Sequence, residues 1–174
     1  GNGCTSTVLS SSISDPTPPT TPTITVSGAT IFCDGGSVTL TSSYASGNVW
    51  STSASTASIS PTTAGSYTVT YTDVSGCSAT SAPVNVTVNS LPTVTLSALG
   101  TTCVYYSPIT LAGGSPASGV YSGTGVTAGM FNPTTAGTGT HIITYTYTDG
   151  NSCSNSATAD VTVDGCLSIG ENDL

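Results

Sequence analysis

Two stretches of this chain repeat each other 70 residues apart, and inside each stretch apolar residues alternate with Ser and Thr. Segment 21–43 aligns with 91–113, and segment 60–77 aligns with the slightly longer 132–153, with which it shares the pentapeptide PTTAG. Strict alternation puts one side of a β-strand in a core and the other side in water. Short Val-, Thr- and Tyr-rich runs bounded by Gly, Pro, Ser and Asp therefore predict two all-β modules and no helix.

The position of the large aromatic residues predicts which β fold the modules adopt. Trp50 lies seventeen residues after Cys33, and Tyr121 stands at the matching place in the second repeat. A buried aromatic on a central strand is the usual core anchor of an immunoglobulin-like sandwich. The predicted fold class is all-β, with tandem immunoglobulin-like β-sandwiches that carry one disulfide each.

The repeat boundaries predict the domain organisation. We expect a terminal strand of a preceding or neighbouring module, a Pro-rich linker, two complete modules and a tail. These occupy residues 1–14, 15–22, 23–89, 90–164 and 165–174.

Six cysteines point to an oxidising, extracytoplasmic setting, because paired cysteines seldom persist inside cells. Their placement within each repeat predicts two disulfides, Cys33–Cys77 and Cys103–Cys153, each clipping one end of a sandwich. Cys4 and Cys166 are left over by this assignment. Each is expected to pair with another chain or with a flanking segment.

The opening residues, 1–13, resemble the last strand of each repeat. Two interpretations follow. The chain is either a trimmed part of a longer repeat array or a subunit that joins its neighbours end to end, through disulfides or by adding a strand to a neighbour's sheet.

Charge excludes several classes of function. The chain has no Lys or Arg and eight acidic residues, for a formal net charge of −8. Nucleic-acid binding relies on cationic side chains that neutralise phosphates, so we expect no nucleic-acid partner. No run of apolar residues is long enough to span a membrane.

The sequence also suggests no catalytic or metal centre and no cofactor. His141 is the single histidine, and we interpret it as a loop or strand-edge residue, since hydrolytic sites combine a base with a nucleophile and an acid. Asp34, Asp73, Asp149 and Asp164 lack the dense spacing of a calcium loop, and turn formation explains them more simply.

Tyr105 and Tyr106 are the candidate glycan contacts. Adjacent aromatics in "CVYYSP" can present a ring to a sugar, or one ring can pack inward while its neighbour covers the sheet edge.

The phrases "NVWSTSASTASISPTTAGSYTVTYTDVSGCSAT" and "SGVYSGTGVTAGMFNPTTAGTGTHIITYTYTDGNSCSNSATADVTV" resemble the Ig-like, PKD-like repeats of large surface proteins of Bacteroidetes. The tail "CLSIGENDL" is similar to the linker that precedes a type IX secretion sorting domain in those proteins. The resemblance implies export and a role as a spacer or adhesion module.

These observations predict a non-enzymatic extracellular protein of the bacterial cell surface, a stalk or a filament-forming, adhesive repeat. Its expected partners are further copies or repeats and surface glycans. The alternative is a carbohydrate-binding accessory module of a secreted enzyme.

Overall fold

The computed structural model describes residues 18–166, which divide into two compact units. The first unit contains residues 18–31 and 37–87, and the second contains Phe32–Gly36 and residues 88–166. The short stretch Phe32–Gly36 thus belongs to the second unit although its sequence is part of the first repeat. The predicted strand within residues 1–14 lies outside the described residues.

The first repeat forms nine short strands in three sheets. In sheet order these are β1-β3-β5, β4-β7-β8 and β2-β9-β6. The strands are β1 (Ile24–Ser27), β2 (Ile31–Cys33), β3 (Thr39–Ser42), β4 (Asn48–Trp50), β5 (Ser58–Ile59), β6 (Gly65–Tyr67), β7 (Val69–Thr72), β8 (Ser78–Thr80) and β9 (Val84–Asn89).

The strand order identifies the sandwich type. The sheets β1-β3-β5 and β4-β7-β8 match the A-B-E and C-F-G sheets of an immunoglobulin-like domain. The hydroxyl of Tyr67 donates a hydrogen bond of 2.8 Å to the carbonyl oxygen of Thr63, four residues upstream. This contact is the tyrosine corner of such folds, and the all-β immunoglobulin-like fold class is confirmed.

The second unit is dominated by one long antiparallel hairpin. Its sheets have the orders β11-β18-β17-β14, β12-β16-β15 and β10-β13. The elements are β10 (Thr95–Leu96), β11 (Gly100–Cys103), β12 (Ile109–Thr110), β13 (Gly114–Ser115), β14 (Val120–Ser122), β15 (Val126–Thr127), β16 (Met130–Phe131), α1 (Pro133–Ala136), β17 (Gly139–Thr148) and β18 (Ser154–Asp164).

The helical turn α1 corrects the prediction that the chain has no helix. It begins in the PTTAG pentapeptide of the second repeat, after Asn132, whose Oδ1 accepts hydrogen bonds from the backbone N–H groups of Thr134 and Thr135. An Asn at this position satisfies N–H groups that a helix start leaves without partners. Ser60 precedes the same pentapeptide in the first repeat, where residues 61–64 form no helix and β6 begins at Gly65.

Each unit has its own small apolar core. In the first unit, Leu40 and Val69 are buried beside Trp50, which is 2% exposed and whose indole N–H donates to the carbonyl oxygen of Thr56 at 2.8 Å. The buried cluster of the second unit consists of Leu111, Phe131, Ile143, Val161 and Val163. Tyr121 is partly buried against that cluster.

Buried polar groups in the first unit are satisfied locally. Asn48 accepts a hydrogen bond of 2.8 Å from the Ser42 hydroxyl and donates one of 2.7 Å to the carbonyl oxygen of Tyr44. The Tyr44 ring stacks on that of Tyr71, with centroids 3.7 Å apart. Gly47, between these groups, has φ +75°, and a Cβ there would lie 2.8 Å from the carbonyl oxygen of Thr72. Only glycine fits this turn without strain.

The disulfides differ from the predicted pairs. Cys33 bonds to Cys153, and Cys103 bonds to Cys166, each with a Cα–Cα distance of 5.5 Å. The predicted pairs Cys33–Cys77 and Cys103–Cys153 are therefore wrong, and so is the expectation that Cys166 bonds to another chain or a flanking segment. Cys4 lies outside the described residues.

The position of Cys33 explains the error. The backbone N–H of Asp34, the next residue, donates a hydrogen bond of 2.8 Å to the carbonyl oxygen of Asn89, and both residues belong to the second unit. Cys33 consequently lies within bonding distance of Cys153, which is fully buried there. Disulfide formation depends on this spatial separation and not on equivalence between repeats.

We expect Leu40→Ala to destabilise the first unit by about 2–5 kcal/mol, because Leu40 is 0% exposed and its truncation leaves a cavity. Urea denaturation followed by Trp fluorescence measures the effect, since the chain has one Trp and Trp50 lies in this unit. Val49→Ala is the matched control: Val49 is 52% exposed, and its truncation should change stability by less than about 0.5 kcal/mol. Equal effects of the two changes would contradict the assigned core.

Peptide mapping without reduction should recover Cys33 linked to Cys153 and Cys103 linked to Cys166. Pepsin at acidic pH is the suitable protease, because trypsin finds no Lys or Arg in this chain and thiolate exchange is suppressed in acid. Recovery of a Cys33–Cys77 peptide would show that the two repeats are closed separately and would overturn the unit assignment of Phe32–Gly36.

Candidate functional site

The exposed aromatic pair, Tyr105 and Tyr106, lies on the loop that follows β11. Their side chains are 76% and 61% exposed, so neither ring packs inward. The backbone N–H of Tyr106 donates to the carbonyl oxygen of Cys103 at 3.0 Å, which closes a tight turn. Val104, which precedes the pair, donates its N–H to the carbonyl oxygen of Asp164 at 2.9 Å. The loop is thus attached to the sheet while both rings face solvent.

An open groove of about 420 Å³ lies in the same unit. Its lining carries no ionisable group and consists of Pro108, Gly125, Thr127, Ala128, Met130, Asn132 and Thr135. Grooves of this volume are within the range that holds small ligands. The sequence had not suggested this groove, because its lining comes from three separate short stretches of chain.

A side-chain hydrogen bond connects the aromatic loop to the groove wall. The hydroxyl of Thr134 donates to the carbonyl oxygen of Val104 at 2.8 Å. Thr134 is adjacent to the groove residue Thr135, and Pro108 lines the groove two residues after Tyr106. We refer to the groove together with Tyr105 and Tyr106 as the aromatic-loop surface.

Exposed hydroxyls form cross-strand pairs on the outer sides of the sheets. Thr70 pairs with Thr80 in the first unit, with hydroxyl oxygens 2.9 Å apart, and Thr148 pairs with Ser154 in the second at 2.6 Å. Such pairs stabilise neighbouring strands modestly. The alternating Ser and Thr of the sequence therefore contribute to sheet pairing on the solvent side.

His141 lies in β17 and is half-buried. Its Nε2 donates to the carbonyl oxygen of Gly137 at 2.9 Å, and a carbonyl only accepts, so this nitrogen carries a proton in the contact. The bond spans four residues, as does the Tyr67–Thr63 bond of the first unit. His141 thus makes a contact like that of the tyrosine corner.

Two of the candidate calcium-binding aspartates form turns with the same geometry. Oδ1 of Asp73 accepts from the N–H groups of Ser75 and Cys77 at 2.8 and 2.9 Å. Oδ1 of Asp149 accepts from those of Asn151 and Cys153 at the same two distances.

The other two aspartates occupy different settings. Asp34 accepts at Oδ1 from the N–H of Gly35, and Asp164 is exposed at the end of β18. Within residues 18–166, no three His, Cys, Asp or Glu side chains are grouped so that they could hold a metal ion.

No helix among the described residues has both the length and the apolar character needed to cross a membrane.

Comparison with known proteins identifies no family. No protein-family model matches the chain, and no curated protein matches it in sequence.

Among solved structures, a Ca²⁺-stabilised adhesin that helps an Antarctic bacterium to reach out and bind ice is 17% identical, with a TM-score of 0.43. The match covers 86% of this chain and 50% of the adhesin. The fibronectin(III)-like modules of Clostridium thermocellum CbhA are 17% identical over 81% of this chain and 94% of theirs, with a TM-score of 0.36.

A 1.5-MDa bacterial ice-binding adhesin, described for its retention on the host cell surface, is 16% identical. That match has a TM-score of 0.34 and covers 82% of this chain and 64% of the adhesin structure. This chain thus spans half of the first neighbour and less than two thirds of the third. At these scores the likenesses support neither a family nor a function for this chain.

Proposed function

We propose that this chain is a non-enzymatic structural protein of the bacterial cell exterior, a stalk or an adhesive surface repeat. The observation that carries this proposal is the pair of disulfides, Cys33–Cys153 and Cys103–Cys166. Disulfides of this kind persist outside the cytoplasm. On the chain-entropy account, closing loops of 120 and 63 residues stabilises the fold by about 4–5 kcal/mol each.

The chemistry of the side chains supports a structural role over a catalytic one. Tyr67 and His141 complete corners, and Asp73 and Asp149 close turns. Each of these polar groups has a local partner within its own turn or strand. The resemblance of the sequence to Bacteroidetes surface repeats agrees with this role and extends the proposal to export by type IX secretion.

Edge strands supply a means of assembly into a fibre or a longer array. In the described sheets, β4 and β14 are edge strands, and Val49 and Val120 on them are exposed. An edge strand offers backbone N–H and C=O groups to an added strand. Strand addition is therefore the proposed mode of self-association. Cys166 is bonded to Cys103, so it is not the proposed link between chains.

A second candidate function is binding of neutral glycans at the aromatic-loop surface. Tyr105 and Tyr106 expose their rings beside a groove without ionisable groups. Aromatic faces can pack against the apolar faces of sugar rings, and an uncharged groove carries no electrostatic preference for a charged polymer. This function is compatible with an accessory module as well as with an adhesin.

Antibody against the folded chain should label intact, non-permeabilised source cells, because the proposal places the protein outside the cell. Fab fragments of that antibody should reduce attachment of the cells to surfaces, whereas Fab of unrelated specificity should not. Immunogold electron microscopy and an attachment assay measure the two effects. Labelling that requires permeabilisation would contradict the proposed location.

For the glycan function, replacing both tyrosines by Ala should reduce binding to neutral polysaccharides at least tenfold without changing stability. Both rings are exposed, so their removal leaves the core intact. Retention on a glycan array measures binding, and the matched control is Tyr44→Ala, which removes a stacked tyrosine in the first unit. Unchanged binding after loss of Tyr105 and Tyr106, or no binding by the native chain, would exclude this function.

A further inference from the structure

The Cys33–Cys153 disulfide closes a covalent loop that contains most of both units. It joins positions separated by 120 residues. Residues 37–87 of the first unit lie inside this loop, as do β10 to β17 of the second. Of the described strands, only β1, part of β2 and β18 lie outside it.

We propose that this disulfide acts as a force shunt. A pull applied to the chain on the N-terminal side of Cys33 and the C-terminal side of Cys153 passes across the sulfur–sulfur bond. The two Cα atoms, 5.5 Å apart, cannot be drawn further apart by such a pull than the bond permits. The strands inside the loop are therefore protected from stretching while the bond is intact.

The strand that receives the load is fastened at both ends. β18 (Ser154–Asp164) begins one residue after Cys153 and ends two residues before Cys166, which is bonded to Cys103 on β11. It also makes the longest ladder described, with all ten residues of β17, and a parallel pairing with β11. Backbone ladders loaded along their length share a pull among many hydrogen bonds. β18 is thus the load-bearing strand of the second unit.

This device gives the proposed stalk a fixed maximum length under tension. Its mechanical meaning rests on the proposed structural function, whereas the covalent loop holds for any function of the chain. A chain lacking the shunt would lengthen progressively as its small sandwiches opened. The shunted chain stops extending once the segments outside the loop are straight.

Single-molecule stretching of the full chain tests the shunt. Azide-bearing residues at positions 18 and 156, both exposed, provide the handles. The route between them has 15 residue steps from Pro18 to Cys33 and three from Cys153 to Ser156. At roughly 3.6 Å per residue, and including the disulfide, the handles should separate by no more than about 70 Å.

The variant Cys33→Ser with Cys153→Ser should extend to more than twice that limit, because with Cys103–Cys166 intact every other covalent route is more than twice as long. The matched control, Cys103→Ser with Cys166→Ser, should keep the 70 Å limit, since the shunted route does not use that bond. A thiol reductant added to the native chain provides a second measurement that does not depend on folding of a variant.

Native chains extending beyond 70 Å without reductant would overturn the proposal, and so would a Cys33/Cys153 variant that stays within the limit. Neither result bears on where the protein resides, which antibody labelling of cells decides separately.

Discussion

The disulfide between Cys33 and Cys153 is the constraint on which the second unit depends most. It holds Phe32–Gly36, a piece of the first repeat, within that unit and anchors the start of β18. Cys103–Cys166 fastens the other end of the same strand. Because the unit's buried cluster consists of only a few large side chains, covalent closure replaces stability that a larger core would otherwise provide.

Backbone hydrogen bonding is the second source of stability. With no Lys or Arg, the chain cannot form a salt bridge between side chains. The β17–β18 ladder, the paired hydroxyls and the Asp-closed turns use groups that do not depend on charge pairing. Such a structure should be less sensitive to salt than one stabilised by surface ion pairs. That property suits a protein exposed to a changing external medium.

Local chemistry and context both shape the repeats. The pentapeptide PTTAG starts a helical turn after Asn132, yet after Ser60 it leads directly into β6. The corner bond comes from Tyr67 in one repeat and from His141 in the other. The function of a polar residue in these modules is therefore set by its position relative to a turn. The identity of its side chain can differ between repeats.

The sequence by itself determined the all-β class, because the alternation of apolar and hydroxyl residues matches the period of a strand. It also determined the core position of Trp50, since a large aromatic on a central strand has no comparable site elsewhere. Only the tertiary structure decided which cysteines bond, and that Tyr105 and Tyr106 both face solvent beside a groove. The reason is that bonding and exposure depend on distances between segments far apart in the chain. A repeat pattern specifies each segment but not which neighbour it meets.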